Sequence, residues 1–283
     1  MSSRITEIEF HDQPALELVT ARGARALVSP FGGQLLSWQT APGHEQLYLS
    51  DDAVFDRQRP IRGGIPVCFP QFGTQGKLPR HGFARTALWE VRESRAADDY
   101  ALLTLGLTDE AAAPDNWLWP FDAELTVLLG QDRLDVELQV ENTGHAQMAF
   151  TAALHTYLKV AEVENARLHG LQGHHFRDAL SAESGEQQEA AEVLVVEGGM
   201  DRLYRNVDHP LLLVDGARRV AIDQEGFPDV VVWNPWEDGA ARLDDLPNLG
   251  FRRMLCVEAA AASQRMALDP EESWFGRQSL VVC

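Results

Sequence analysis

The residues best suited to chemistry form one basic stretch and two separate acid–base candidates. From Arg57 to Arg85 the chain reads RQRPIRGGIPVCFPQFGTQGKLPRHGFAR. The cations there are Arg57, Arg59, Arg62, Lys77, Arg80 and Arg85, with no Asp or Glu between them. Over the whole chain acids prevail: 43 Asp and Glu against 24 Lys and Arg give a formal net charge of −19. Arginine offers a planar fork of donors that matches phosphate geometry. The stretch therefore reads as a pocket for a phosphate or sulfate ester, or more plainly as a basic loop paired with an acidic surface. Its Gly and Pro content predicts loops, where sites on a rigid scaffold tend to be built. Gly63-Gly64 lacks the spacing of a phosphate-cradling P-loop and predicts a sharp turn or a close backbone approach.

The acid–base candidates are His155 and Glu258. In MAFTAALHTYLKV a period of two puts Met148, Phe150, Ala152, Leu154, Leu158 and Val160 on one face. Thr151, His155, Tyr157 and Lys159 fall on the other. His155 thus faces away from the packed side, as a half-exposed surface histidine or as part of a sugar-binding cleft. Glu258 stands in the apolar run MLCVEAAAA. A buried carboxylate is costly unless paired, and burial raises its pKa toward that of a general base at neutral pH. The plain alternative is a strand-end Glu in solvent. His81 (LPRHGFAR) and Asp201 (GGMDRLY) are candidate loop ligands. In VVWNPWED, Trp233 and Trp236 are either sugar-stacking platforms or buried structural rings.

The elements that must position these residues read as strands. Short apolar runs recur between Gly, Asn, Asp and Pro, the pattern of an all-β protein. Ala123–Leu129, a GQD loop and Leu134–Glu141 predict an antiparallel hairpin. Further strands are expected at Arg25–Val28, Gln34–Thr40, Tyr100–Leu107, Ala149–Val160, Leu211–Val214, Arg219–Ile222, Asp229–Trp233, Met254–Ala259 and Gln278–Val282. Ser181–Glu192 (SAESGEQQEAAE) is acidic and reads as an exposed loop. With no repeat and no clear linker, residues 1–283 are expected to form one large antiparallel β-domain.

Bulk properties exclude several functions. An acidic chain repels nucleic acid and anionic membranes. No apolar run reaches the roughly 18 residues of a membrane span, and MSSRITEIEF has no apolar core of a secretory signal. Cys68, Cys256 and Cys283 show no metal spacing. Two of them sit in apolar runs and read as buried and inert, which suits a reducing compartment. A cytoplasmic monomer is expected.

Together the strings IRGGIPVCFPQFG, LPRHGFAR, LHTYLKV, MDRLY, VVWNPW and MLCVEAA resemble the aldose 1-epimerase superfamily, specifically its hexose-6-phosphate mutarotase branch. They occur in the expected order from about residue 30 to the C-terminus. The resemblance implies a large antiparallel β-sandwich of galactose-mutarotase type with a concave active-site face, and no metal or organic cofactor. By motif position His155 matches the catalytic histidine and Glu258 the catalytic carboxylate. Arg62, Arg85 and Asp201 match substrate-contacting residues, and His81 sits beside the sugar. Arg80 departs from a position often occupied by Gln, which bears on phosphate binding or hexose preference. The expected chemistry is ring opening and closure of a hexose 6-phosphate: Glu258 takes the O1 proton, protonated His155 supplies one to O5, and Arg62 and Arg85, with Arg80, clamp the phosphate. The alternatives are a mutarotase for neutral aldoses, a noncatalytic carbohydrate-binding module and, more distantly, a cysteine enzyme using Cys68 and His81.

Overall fold

The computed structural model describes residues 2–181 and 185–283. Its first four strands, β1 (Arg4–Phe10), β2 (Gln13–Val19), β3 (Arg25–Ser29) and β4 (Gln34–Gln39), form one antiparallel sheet in chain order. There follow β5 (Val67–Cys68), β6 (Glu90–Ala96), β7 (Ala101–Thr108), β8 (Phe121–Leu129), β9 (Arg133–Asn142), β10 (Met148–Leu154), β11 (Tyr157–Lys159) and β12 (Arg167–His169). The remainder are β13 (His175–Asp178), β14 (Gln187–Gln188), β15 (Val193–Leu194), β16 (Met200–Arg205), β17 (Leu211–Asp215), β18 (Arg218–Glu225), β19 (Asp229–Asn234), β20 (Met254–Leu268) and β21 (Ser273–Val282). They sort into two larger antiparallel sheets. One runs β15-β12-β17-β18-β21-β9-β8-β7-β6; the other runs β14-β13-β16-β19-β20-β10-β5, with β11 also on β20.

Alternation along the strands explains how the sheets close. In β8 Phe121, Ala123, Leu125, Val127 and Leu129 are buried, and in β9 Leu134, Val136, Leu138 and Val140. They share one core with Met148, Phe150, Ala152 and Leu154 of β10 and Leu255, Val257, Ala259 and Ala261 of β20. One face of each large sheet is therefore removed from water, which is the main driving force of the fold. The predicted hairpin is present, with Leu129 opposite Leu134.

Three expectations are corrected. The strand expected over Ala149–Val160 breaks at His155–Thr156, because the Thr156 N–H turns back to the Leu154 carbonyl (2.9 Å). The acidic segment Ser181–Glu192 is not wholly an exposed loop. Residues 182–184 lie outside the described residues, but Gln187–Gln188 pairs with β13, and buried Glu189 takes the Tyr204 hydroxyl (2.8 Å) and Arg202 (3.0 Å). Finally, β1, β2, β5, β6, β12, β13, β15 and β16 are strands that the pattern did not announce. All seven residues of β6 (EVRESRA) are exposed at a sheet edge, so no apolar face marks it.

Candidate active site

Register places the chemistry. Residues directly opposite on antiparallel neighbours project to the same face. One row across the eight-stranded sheet reads Asp201, Trp233, Cys256, Tyr157. The next reads Leu203, Val231, Glu258, and the third Asp229, Ala260, Ala153, Cys68. Leu154 stands opposite Ala259 and Tyr157 opposite Cys256. The register between them sets His155 across from Glu258, on the face turned away from the core. The short, fully buried side chains Ala153, Ala260 and Cys68 lie in this face, the candidate cleft.

His155 Nδ1 lies 3.3 Å from Glu258 Oε1. The imidazole stacks on the Tyr157 ring (centroids 4.7 Å apart, planes at 9°) and meets Trp233 and His81 edge-on, at 5.8 and 5.6 Å. Glu258 is 1% exposed and His155 8%. His155 Nδ1 and Glu258 Oε2 are buried without a hydrogen-bond partner. Buried polar atoms are nearly always satisfied, so an unsatisfied atom on each of these two neighbouring side chains marks them as a candidate site. Burial, then the charge of Asp201, pushes the Glu258 carboxyl well above its ordinary range, partly offset by Arg80 and Arg85. Burial, then the electrostatic influence of His81, Arg85 and Arg62, pushes His155 well below its own. Both shifts favour the uncharged forms of the two side chains. Low dielectric disfavours the charge-separated form.

The basic stretch divides into three parts. Arg57 and Arg59 lie outside the cleft, and Arg59 pairs with Asp56 (3.3 Å) and Asp244 (3.1 Å). Arg62 is held by a bidentate pair to Asp245 (3.0 and 3.2 Å) and donates Nη1 to the Tyr157 hydroxyl (3.0 Å). Its loop is pinned by the fully buried Gln34, whose amide donates to the Ile61 and Gly63 carbonyls (3.1 and 2.7 Å). Gly63 and Gly64 adopt φ of +108° and +63°, and a Cβ on either would lie within 2.4 Å of the Tyr48 or Leu35 carbonyl oxygen, so both the turn and the close approach expected here are present.

Arg80 and Arg85 differ from Arg62: among the described residues neither forms an ion pair. Arg85 donates Nη2 to the Arg80 carbonyl (2.6 Å) and leaves Nε buried without a partner. Arg80 donates Nε to His81 Nε2 (3.2 Å), while the Gly73 N–H points at His81 Nδ1 (3.3 Å). A neutral imidazole has one acceptor nitrogen, so these two donors compete and one is readily released. His81 is neutral: burial, then Arg85, Arg80 and Arg62, pushes it down to about 3. Its backbone is left-handed (φ 65°), a conformation costly for a side chain of this size and concentrated at functional sites.

Asp201 is half-buried on the same face, with its carboxyl raised chiefly by burial. Trp233 belongs to the cleft face, whereas Trp236 packs on Phe251 (5.3 Å). Cys68 and Cys256 are fully buried beneath the acid–base pair, and burial raises both thiols, which removes Cys68 as a nucleophile. The cluster His174, Asp208 and His209 has ligating atoms within 4.8 Å of one another and includes none of the cleft residues. Asp245, Gln34 and the anchoring role of Tyr157 were not found from sequence. Asp245 sits in an ordinary acidic turn, LDDLP, and Gln34 opens a strand; no local pattern distinguishes either.

Comparison with known proteins agrees with this geometry. The profile of the aldose 1-epimerase family matches residues 14–281. A protein of Cenchrus ciliaris with the provisional name glucose-6-phosphate 1-epimerase is 35% identical over 278 residues, covering 94% of this chain and 84% of its own. A protein of Escherichia coli (strain K12) with the same provisional name is 32% identical over 261 residues, covering 89% of this chain and 84% of its own. A Salmonella typhimurium crystal structure described as a provisional mutarotase superposes with TM-score 0.88 at 26% identity, covering 99% of this chain and 94% of that one. Galactose 1-epimerase from Lactobacillus acidophilus NCFM shares the fold alone, with TM-score 0.76 at 15% identity and 100% and 99% coverage. With the family profile spanning nearly the whole chain and the register setting His155 against Glu258, this protein belongs to the aldose 1-epimerase family.

Proposed function

We propose that the chain is a hexose-6-phosphate mutarotase, interconverting the α and β anomers of glucose 6-phosphate or a close relative. The observation that carries this reading is the His155–Glu258 cross-strand pair on a cleft whose other cations, Arg80 and Arg85, form no ion pair among the described residues. The provisional names of the Cenchrus ciliaris and Escherichia coli relatives support the same substrate class.

Anomerisation needs one proton taken from O1 and one given to O5 while the C1–O5 bond breaks. The open aldehyde then turns about C1–C2, and closure reverses both transfers. Glu258 acts at O1 and His155 at O5. The proton resting on Glu258 first passes to His155 Nδ1 across their 3.3 Å contact, once the contact aligns. This leaves a carboxylate base and an imidazolium whose Nε2–H is the acid. Each positioned proton transfer is worth roughly 10²–10⁴ in rate.

Arg80 and Arg85 provide most of the unneutralised charge for the phosphate. Arg62, already shared with Asp245, contributes its remaining N–H donors and fixes the Tyr157 ring under His155. Asp201, across the cleft, accepts from sugar hydroxyls. Anchoring a remote phosphate in this way holds C1 at the acid–base pair.

The test is the anomerisation of freshly dissolved α-glucose 6-phosphate by optical rotation, beside α-glucose and α-galactose. Acceleration of the phosphate ester, with KM raised about tenfold or more in Arg85→Ala, is expected. Equal acceleration of neutral sugars would refute the phosphate clamp. Binding of sugar phosphate without acceleration would favour a noncatalytic binding module.

A further inference from the structure

The strand that carries His155 is broken where a ladder would otherwise run straight. The register between Leu154–Ala259 and Tyr157–Cys256 sets Thr156 opposite Val257. In an unbroken antiparallel ladder two such residues exchange both N–H···O=C bonds. Only half of that exchange is made. The Val257 N–H donates to the Thr156 carbonyl (3.1 Å), but the Thr156 N–H is diverted to Leu154. Thr156 and Val257 are both 0% exposed, so the Val257 carbonyl loses its ladder donor where water cannot replace it. A buried acceptor in this position needs another donor.

The replacement comes from the opposite sheet. Gln278 of β21 lies in that strand's inward row between Gly276 and Leu280 and is 1% exposed. Its Nε2 donates to the Val257 carbonyl (3.0 Å), and its Oε1 accepts the Thr156 hydroxyl (2.5 Å). One carboxamide thus supplies the missing donor and ties down the side chain of the kinked residue. Neither Gln278 nor Thr156 faces the cleft. His155 and Glu258, one residue along on each strand, do.

We propose that Gln278 and Thr156 are positioning residues for the acid–base pair: their buried bridge between the sheets holds the break that sets His155 against Glu258. The proposal rests on the mutarotase reading above for its kinetic consequence, while its geometric consequence can be read independently. Losing the donor to the Val257 carbonyl also costs stability, so the positioning role is read from kcat and from the His155 imidazole, not from stability.

The variants are Gln278→Met, Thr156→Val and Thr156→Ser, with Leu280→Val as a packing control on the same strand. The readouts are kcat and KM for glucose 6-phosphate, thermal stability, and the NMR resonances and titration of the His155 imidazole. Gln278→Met and Thr156→Val are expected to lower kcat about 10- to 100-fold with KM within about twofold, because a misplacement near 1 Å costs rates of that order. The His155 resonances move in both, Thr156→Ser restores kcat, and Leu280→Val leaves kcat unchanged at a comparable loss of stability. Unchanged kcat and unchanged His155 resonances in Gln278→Met and Thr156→Val would overturn the proposal. Should Gln278→Met fail to fold, the Thr156→Val and Thr156→Ser comparison decides. Should the wild type not anomerise sugar phosphates, the imidazole resonances still decide: a shift supports the bridge and no shift overturns it.

Discussion

Replacing Glu258 by Gln should make the protein more stable while removing most of its activity. The carboxyl is 1% exposed, and its Oε2 has no hydrogen-bond partner. Burial and the charge of Asp201 hold its pKa well above the ordinary 4.5. An acid whose folded pKa is raised binds more protons in the folded state than in the unfolded state, over the window between the two values. Stability therefore falls as pH rises through that window, at about 1.4 kcal/mol per pH unit. Below pH 4.5 the cost is absent, and it grows with pH through the window to at most about 3 kcal/mol at pH 7. Gln keeps the shape and cannot ionise. Denaturant unfolding of wild type and Glu258→Gln at pH 4.5, 6 and 7.5 should show a difference near zero at the lowest pH that grows in favour of the variant. Optical rotation should show kcat reduced roughly 10²–10⁴-fold. A variant that is less stable at pH 7, or a stability difference that does not change with pH, would refute the account of Glu258 as a buried acid held at a cost for catalysis.

Two other perturbations test the frame of the site. Gly64→Ala would place a Cβ 2.1 Å from the Leu35 carbonyl oxygen on a residue with φ +63°, so a loss of about 2 kcal/mol or more is expected in urea unfolding; a neutral effect would show that the Arg62 loop is not clamped. His81 is held neutral down to about pH 3, so between about 6.5 and 3 the unfolded chain binds a proton that the folded chain does not, and stability falls as pH falls through that window. His81→Asn should therefore shift the midpoint of acid unfolding to lower pH, and an unchanged midpoint would contradict the burial of a neutral imidazole.

The sequence carried the site further than the fold around it. Period-two alternation assigned Leu154 and His155 to opposite faces, and the apolar run around Glu258 marked a buried carboxylate, because both signals are local. The basic stretch was visible as composition, but its division was not. Whether Arg62 is neutralised by Asp245 while Arg80 and Arg85 form no ion pair among the described residues depends on residues far apart in the chain. The break at His155–Thr156 escaped notice because β-branched Thr156 fits a strand pattern. Its N–H turns to the Leu154 carbonyl, and the donor that makes good the lost ladder bond is Gln278 on β21, which no window of sequence contains. Exposed edge strands such as β6 were missed for the opposite reason, since they bury no face that would give them a period.

The two thiols under the cleft make the molecule its own recorder of motion. Cys68 and Cys256 are fully buried in the rows flanking Glu258, while Cys283 is exposed. A thiol reagent added to the native protein should consume Cys283 at once and the other two only when the cleft floor parts from its neighbours. With excess reagent and rapid reclosing, the slow rate divided by that of a free thiol is the equilibrium constant for that opening. A ligand seated over His155 and Glu258 should slow this labelling in proportion to its occupancy. Binding could then be read without isotopes, added dyes or turnover.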